Sequence, residues 1–123
     1  MRYLMFVAMD PDNDTDPSGE GTMPIDDWCD TYDAAGIRIM GERTRPAEDA
    51  TTVRRRQGKL LVTDGPFAES REWIVGFDVL DCDDLDQAIE VASRHPMAAA
   101  GRLELRPFWP FEPEAEGGGD STG

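Results

Sequence analysis

The hydrophobic pattern of this chain predicts an α+β fold in which two helices lie on one antiparallel sheet. Three observations carry that expectation. Short apolar stretches with strand character are separated by two segments whose apolar residues recur at i, i+3, i+4 and i+7, the spacing of one helix face. Glycine and proline fall at the boundaries between them. The resulting order is strand, helix, strand, hairpin, strand, helix, strand, which is the order of a split βαβ sandwich with a hairpin inserted.

Residues Arg2 to Met9 are apolar at both alternating sets (Tyr3, Met5, Val7 and Leu4, Phe6, Ala8), the signature of a central strand covered on both faces. Asp10 to Gly21 is expected to be a mobile polar loop, because its Pro, Asn, Asp, Ser and Gly residues compete with regular backbone pairing. The first helix is expected after Thr22 as N-cap, with Pro24 in its first turn, Asp26 and Asp27 complementing the dipole, and Gly36 ending it. Ile25, Trp28, Cys29 and Tyr32 form its apolar stripe.

Ile37 to Gly41 reads as the second strand, and Ala50 to Arg56 with Lys59 to Thr63 as a hairpin turning at Gln57-Gly58. In the next strand, the set Trp73, Val75, Phe77 and Val79 is expected to face the core, with Gly76 and Asp78 on the lighter side. The second helix opens at Asp83 or Asp84, with Gln87 completing a capping box. Its predicted stripe is Leu85, Ala88, Ile89 and Ala92, and it ends at His95 because Pro96 disfavours helical geometry before it. The last strand, Arg102 to Arg106, turns Leu103 and Leu105 inward and Arg102, Glu104 and Arg106 outward.

These elements make a ferredoxin-like βαββ(β)αβ sandwich with one sheet face uncovered. An apolar face of that size exceeds what a monomer normally exposes, so a homodimer closing the two sheets into a dimeric α/β-barrel-like assembly is expected. The domain is read as residues 1–111, followed by an acidic, glycine-rich tail over 112–123 expected to be disordered.

At 123 residues, with 39% hydrophobic and 31% charged side chains, the chain has the length and composition of a single globular domain. Its 26 acidic residues outweigh 12 basic ones for a formal charge of -14, which opposes direct nucleic-acid binding and docking on anionic membranes. Cys29 and Cys82 lie far apart in no metal-ligating spacing and read as buried thiols, so neither a metal site nor a disulfide framework is expected, and no cofactor is expected either. No apolar run approaches a signal or membrane segment, and a cytoplasmic protein is the simplest expectation.

The segment Thr63 to Glu72 is the most distinctive in the chain. It reads either as a turn, with Asp64 accepting backbone N–H bonds, Gly65 relaxing φ, Pro66 fixing it and Phe67 anchoring it, or as a platform holding Asp64 and Glu69 over the end of the sheet. Asp64-Gly65-Pro66-Phe67 with Glu69 and Glu72 resembles the signature of the DGPF-domain family, a branch of the YCII-related proteins. Gly41-Glu42-Arg43, Pro46, Thr51 to Arg54, Gly76, Ala88, Ala92, Pro96, Gly101 and Glu104 to Pro107 also resemble the family pattern, in the same order. The chain departs from it at Ser70-Arg71, at the bulky Trp73-Ile74-Val75 and at His95-Pro96, where the family pattern has threonine-lysine, smaller residues and aspartate-proline.

The resemblance implies a ferredoxin-like homodimer. It also implies small-molecule chemistry through a His and Asp pair, or an association with sigma factors. His95 is the single histidine, and either complements the dipole at its helix end or acts as acid or base. Arg54 and Arg106 offer guanidinium forks for a carboxylate-bearing ligand, or form cross-strand ion pairs. Combined, these readings predict a small-molecule pocket at the end of the sheet. His95, Asp64 and Glu69 are its candidate catalytic residues, and Phe67, Arg54, Glu72 and Arg106 its candidate binding residues. Proton transfer in an isomerase or lyase is the chemistry such groups support. The alternative is a non-catalytic interaction module linked to transcription regulation. Phosphate-loop, dinucleotide and nucleophile-elbow motifs do not occur in the sequence.

Overall fold

The computed structural model describes residues 1–66 and 73–110. The expectations for Phe67, Glu69, Glu72 and the tail from 112 to 123 lie outside the described residues. The fold is ferredoxin-like α+β: β1 (Arg2–Met9), α1 (Ile25–Ala34), β2 (Arg38–Arg43), β3 (Thr51–Arg56), β4 (Lys59–Asp64), β5 (Ile74–Asp81), α2 (Leu85–Ser93), α3 (Met97–Ala100) and β6 (Gly101–Pro107). An antiparallel sheet has the order β2-β5-β1-β6, and β3 and β4 pair as a separate ribbon. β1 is a central strand, as its two apolar faces predict.

Local chemistry accounts for the element ends. Gly36 at φ +74° closes α1, where its N–H and that of Ile37 donate to the carbonyls of Asp33 and Tyr32. The α1 N-cap position falls to Pro24 rather than Thr22, whose hydroxyl instead donates to the Gly19 carbonyl at 2.6 Å. α2 has the predicted box: the Asp84 carboxylate accepts from the Gln87 N–H at 2.9 Å, and the Gln87 side chain accepts from the Asp83 N–H at 2.7 Å. The ribbon turns at Gln57 and Gly58, both at positive φ (52° and 77°), the geometry of a type I′ turn. Loop 10–21 is tied down by the Asp16 N–H donating to the Ala99 carbonyl at 2.8 Å.

Two facing assignments differ from the sequence reading. In β5 the buried set is Gly76, Asp78 and Leu80, and Phe77 and Val79 face the other way. Register is the reason: Leu80 pairs with Tyr3, Asp78 with Met5 and Gly76 with Val7, placing all three on the side that the helices cover. In α2 the buried stripe is Ala88, Val91 and Ala92, while Leu85 and Ile89 are exposed. The i, i+3, i+4, i+7 series that begins at Ala88 continues to His95, which is buried in turn. The short helix α3 is an addition to the sequence reading: Pro96 breaks α2 and at once starts a new turn.

The core lies between helices and sheet, with Met5, Trp28, Leu80 and Ala88 fully buried. On the opposite sheet face Leu4, Phe6, Phe77 and Val79 are half-buried, and Met40 is exposed. Arg106 and Glu104 pair there, with the guanidinium 5.9 Å from the Phe6 ring centroid.

Candidate functional site

The site begins with an aspartate on a strand position that an apolar residue would ordinarily hold. Asp78 sits in a central strand between Met5 and Gly41, and only 6% of its surface is exposed. An isolated carboxylate is costly there, and Arg38, the first residue of β2, supplies the counter-charge. Its Nε donates to Asp78 Oδ1 at 2.8 Å, its Nη1 to both oxygens of Asp33 at 3.0 and 3.2 Å, and its Nη2 to the Gly41 carbonyl at 3.4 Å. Burial opposes the Arg38 cation, and the bonds to Asp78 and Asp33 more than reverse this, so Arg38 is held charged. Burial raises the Asp78 pKa above the usual carboxylate value, with Arg38 pulling in the other direction.

Glycine is required beside this pair. A Cβ on Gly41 would overlap the Asp78 carboxylate, and one on Gly76 would meet the Glu42 carbonyl oxygen at 2.9 Å. Glycine at these positions lets two strands and a carboxylate share a space with no room for a methyl group.

His95 enters from the other layer. Its own N–H donates to the Ala92 carbonyl, and its Nδ1 accepts from the Met97 N–H at 2.9 Å. Accepting at Nδ1 assigns the proton of the neutral ring to Nε2. The imidazole stands edge-on to Trp28, with centroids 4.7 Å apart and planes at 71°. Trp28 is fully buried and anchored by its own Nε1–H to the Val91 carbonyl at 2.9 Å. Burial, and then the nearby Arg38 cation, push the His95 pKa down to about 4. The ring is therefore neutral near pH 7, a donor at Nε2 rather than a cation complementing a helix dipole.

His95, Asp78, Arg38 and Cys29 all line one cleft of about 930 Å³, with Ile25, Val75 and Met97 as apolar wall and Arg43 on its β2 side. The Cys29 thiol is pushed up by burial, with Arg38 opposing, so it is not an activated nucleophile. Among the described residues, no group of three or more His, Cys, Asp and Glu is arranged to hold a metal ion. No described helix is long and apolar enough to cross a membrane. The chemistry within reach is hydrogen-bond donation from a neutral imidazole and proton exchange with a carboxyl of raised pKa.

Of the candidate catalytic and binding residues that lie among the described ones, His95, Asp64, Arg54 and Arg106, His95 lines this cleft and the other three do not. Asp64 ends β4, exposed and opposite Thr51. Its turn is held by the Gly65 N–H donating to the Ala50 carbonyl and the Thr52 hydroxyl donating to the Gly65 carbonyl, with Gly65 at φ +98°. Pro66 borders a second hollow of about 400 Å³ at the ribbon base, which shares Thr44 and Arg45 with the larger cleft. Arg54 is exposed on β3 opposite Leu61, and Arg106 lies on the uncovered face of the sheet. Sequence reasoning missed Asp78 and Arg38. Their signal was an aspartate two residues from Leu80 on the same face of an alternating strand.

Two comparisons with known proteins show what the whole chain is similar to. The family model of the YCII-related domain matches residues 1–112. A protein of Rhizobium meliloti (strain 1021), itself described as uncharacterized, is 38% identical over 84 residues, which cover 67% of this chain and 68% of that protein.

Proposed function

Because the chain belongs to the YCII-related domain family, we propose that it binds a small carbonyl compound in the cleft between α1, β2 and β5 and catalyses proton transfer there, as an isomerase or lyase. The observation that carries this reading is that a buried neutral imidazole and a buried carboxyl line the same cleft from opposite layers. In this reading the Nε2–H of His95 donates to the substrate oxygen, where charge develops as an adjacent C–H bond breaks. Asp78 Oδ2 accepts that proton and returns it to a neighbouring atom, and its raised pKa favours the exchange. Arg38, already engaged by two carboxylates, positions Asp78. Arg43, exposed beside the cleft and in no ion pair among the described residues, is the cation for a substrate carboxylate.

The chain acts as a homodimer in this proposal. The half-buried face of Leu4, Phe6, Phe77 and Val79 packs on its twin and closes the two sheets into a barrel-like assembly. Residues 1–111 form the working domain. The alternative, a non-catalytic module that docks on a basic regulatory protein such as a sigma factor, has the charge of -14 in its favour, yet leaves buried His95 and Asp78 without a role.

The test is a thermal-shift screen of small keto acids and lactones, followed by proton NMR in deuterium oxide on any compound that raises the Tm. Exchange of a carbon-bound proton by the parent, lost in Asp78→Asn with binding retained, is the expected result. A screen in which no compound shifts the Tm, or exchange that survives in Asp78→Asn, overturns the proposal.

A further inference from the structure

The β3–β4 ribbon pairs with no other strand among the described residues. A lone two-stranded ribbon is at best marginally stable in water and needs a surface to lie on. One face of it carries Val53 opposite Val62, and Leu60 opposite Arg55. These apolar side chains are 63%, 56% and 56% exposed, a contiguous ridge that nothing in its own chain shelters among the described residues. Arg55 stands on that face, and Arg54, Arg56 and Lys59 on the other, so the ribbon holds four of the 12 basic residues of an otherwise strongly acidic chain.

The outer face of α2 has the inverse composition. Leu85 and Ile89, one helical turn apart, are each 50% exposed, and Asp83, Asp86 and Glu90 stand exposed around them. Asp86 makes no ion pair among the described residues, and Glu90 reaches only Arg94, at 3.7 Å. An apolar ridge edged with arginine thus exists on the same molecule as an apolar pair edged with carboxylates.

We propose that the ribbon is an assembly arm that docks on α2 of a second copy of this chain. Val53, Leu60 and Val62 cover Leu85 and Ile89, and Arg55 meets Asp86. Two-fold symmetry makes the contact reciprocal, so each copy gives one arm and receives one. Charge complementarity selects the partner: the acidic surface that repels anionic ligands is the surface a basic arm seeks. The contact uses neither face of the four-stranded sheet, so it stands apart from the sheet-to-sheet packing proposed above.

Paired cysteine crosslinking and sedimentation of the full chain test it. Val53→Cys with Ile89→Cys is expected to give an interchain disulfide under mild oxidation, with neither single substitution doing so. Val53→Ser with Val62→Ser, changes at exposed positions, is expected to weaken self-association by roughly tenfold with unchanged circular dichroism. An intrachain disulfide means that the arm folds onto its own α2, and overturns the proposal. So does association as tight in the serine variant as in the parent. If that variant associates normally while Phe6→Glu does not, the sheet contact stands and the arm falls. A parent that sediments as a monomer removes both contacts.

Discussion

The two faces of the four-stranded sheet are built from alternate residues of the same strands, and they have different chemistry. On one, Tyr3, Met5 and Val7 are sealed beneath helices, together with an ion pair, Asp78 with Arg38, and a neutral histidine. On the other, Leu4, Phe6 and Phe77 remain half-buried beside the ion pair of Glu104 and Arg106. Both faces thus contain a carboxylate and a guanidinium. Desolvation separates them: the Arg38 and Asp78 side chains are 18% and 8% exposed, those of Arg106 and Glu104 58% and 54%. The same two functional groups shift a pKa in the first setting and act as solvated surface in the second.

The largest effect expected from that contrast is in Arg38→Met. Asp78 would remain buried without its cation, and urea denaturation is expected to show a loss of about 3 kcal/mol. The folded pKa of Asp78 is raised, so its protonated form is the better tolerated one, and the loss should be greater at about pH 8 than at about pH 5. Adding Asp78→Asn should recover part of it. A loss no larger than that of a surface ion pair would erase the distinction between the faces.

Next in size is the contribution of His95. Its folded pKa is lowered from 6.5 to about 4, so between those values the unfolded chain binds more protons than the folded one. Stability from this group is complete above about pH 6.5 and is lost as pH falls toward about 4, with about 2 kcal/mol gone by pH 5. Urea midpoints measured across that range should slope for the parent and flatten in His95→Gln. Equal slopes in the two proteins would mean that the ring is not protected from protonation.

The smallest effect belongs to the open face. Arg106→Gln is expected to change the stability of the protomer by no more than about 0.5 kcal/mol, with the difference vanishing in high salt. A larger, salt-resistant loss at dilutions where the protomer is alone would mean that this face is desolvated within one chain, whereas one that appears only on concentration would support the sheet-to-sheet packing.

Much of the fold was legible because strand and helix periodicities are local. Gly36, the Asp84 and Gln87 box and the Gln57-Gly58 turn each act within a few residues, and each forms as its chemistry dictates. The site was legible only in part. His95 drew notice as the single histidine, but its role depends on Trp28 and Arg38, which come from other elements. Asp78 was passed over because period-2 alternation separates two faces without saying which the helices cover, and register with β1 decides that. The Asp64 turn stood out by composition, yet its carboxylate lies at an exposed strand end.

The sequence by itself determined the order of the strands and of the two longer helices, the Gln57-Gly58 turn and the two-sided character of β1, since these follow from side-chain volume, φ preferences and capping over a few residues. The tertiary structure alone decided which carboxylate would be desolvated, which arginine would neutralise it and why Gly41 must lack a side chain. Those outcomes depend on distances between residues remote in the chain, Arg38 and Asp78 being 40 positions apart and Met5 and Asp78 farther still, and a pKa or an overlap exists only once packing has set those distances.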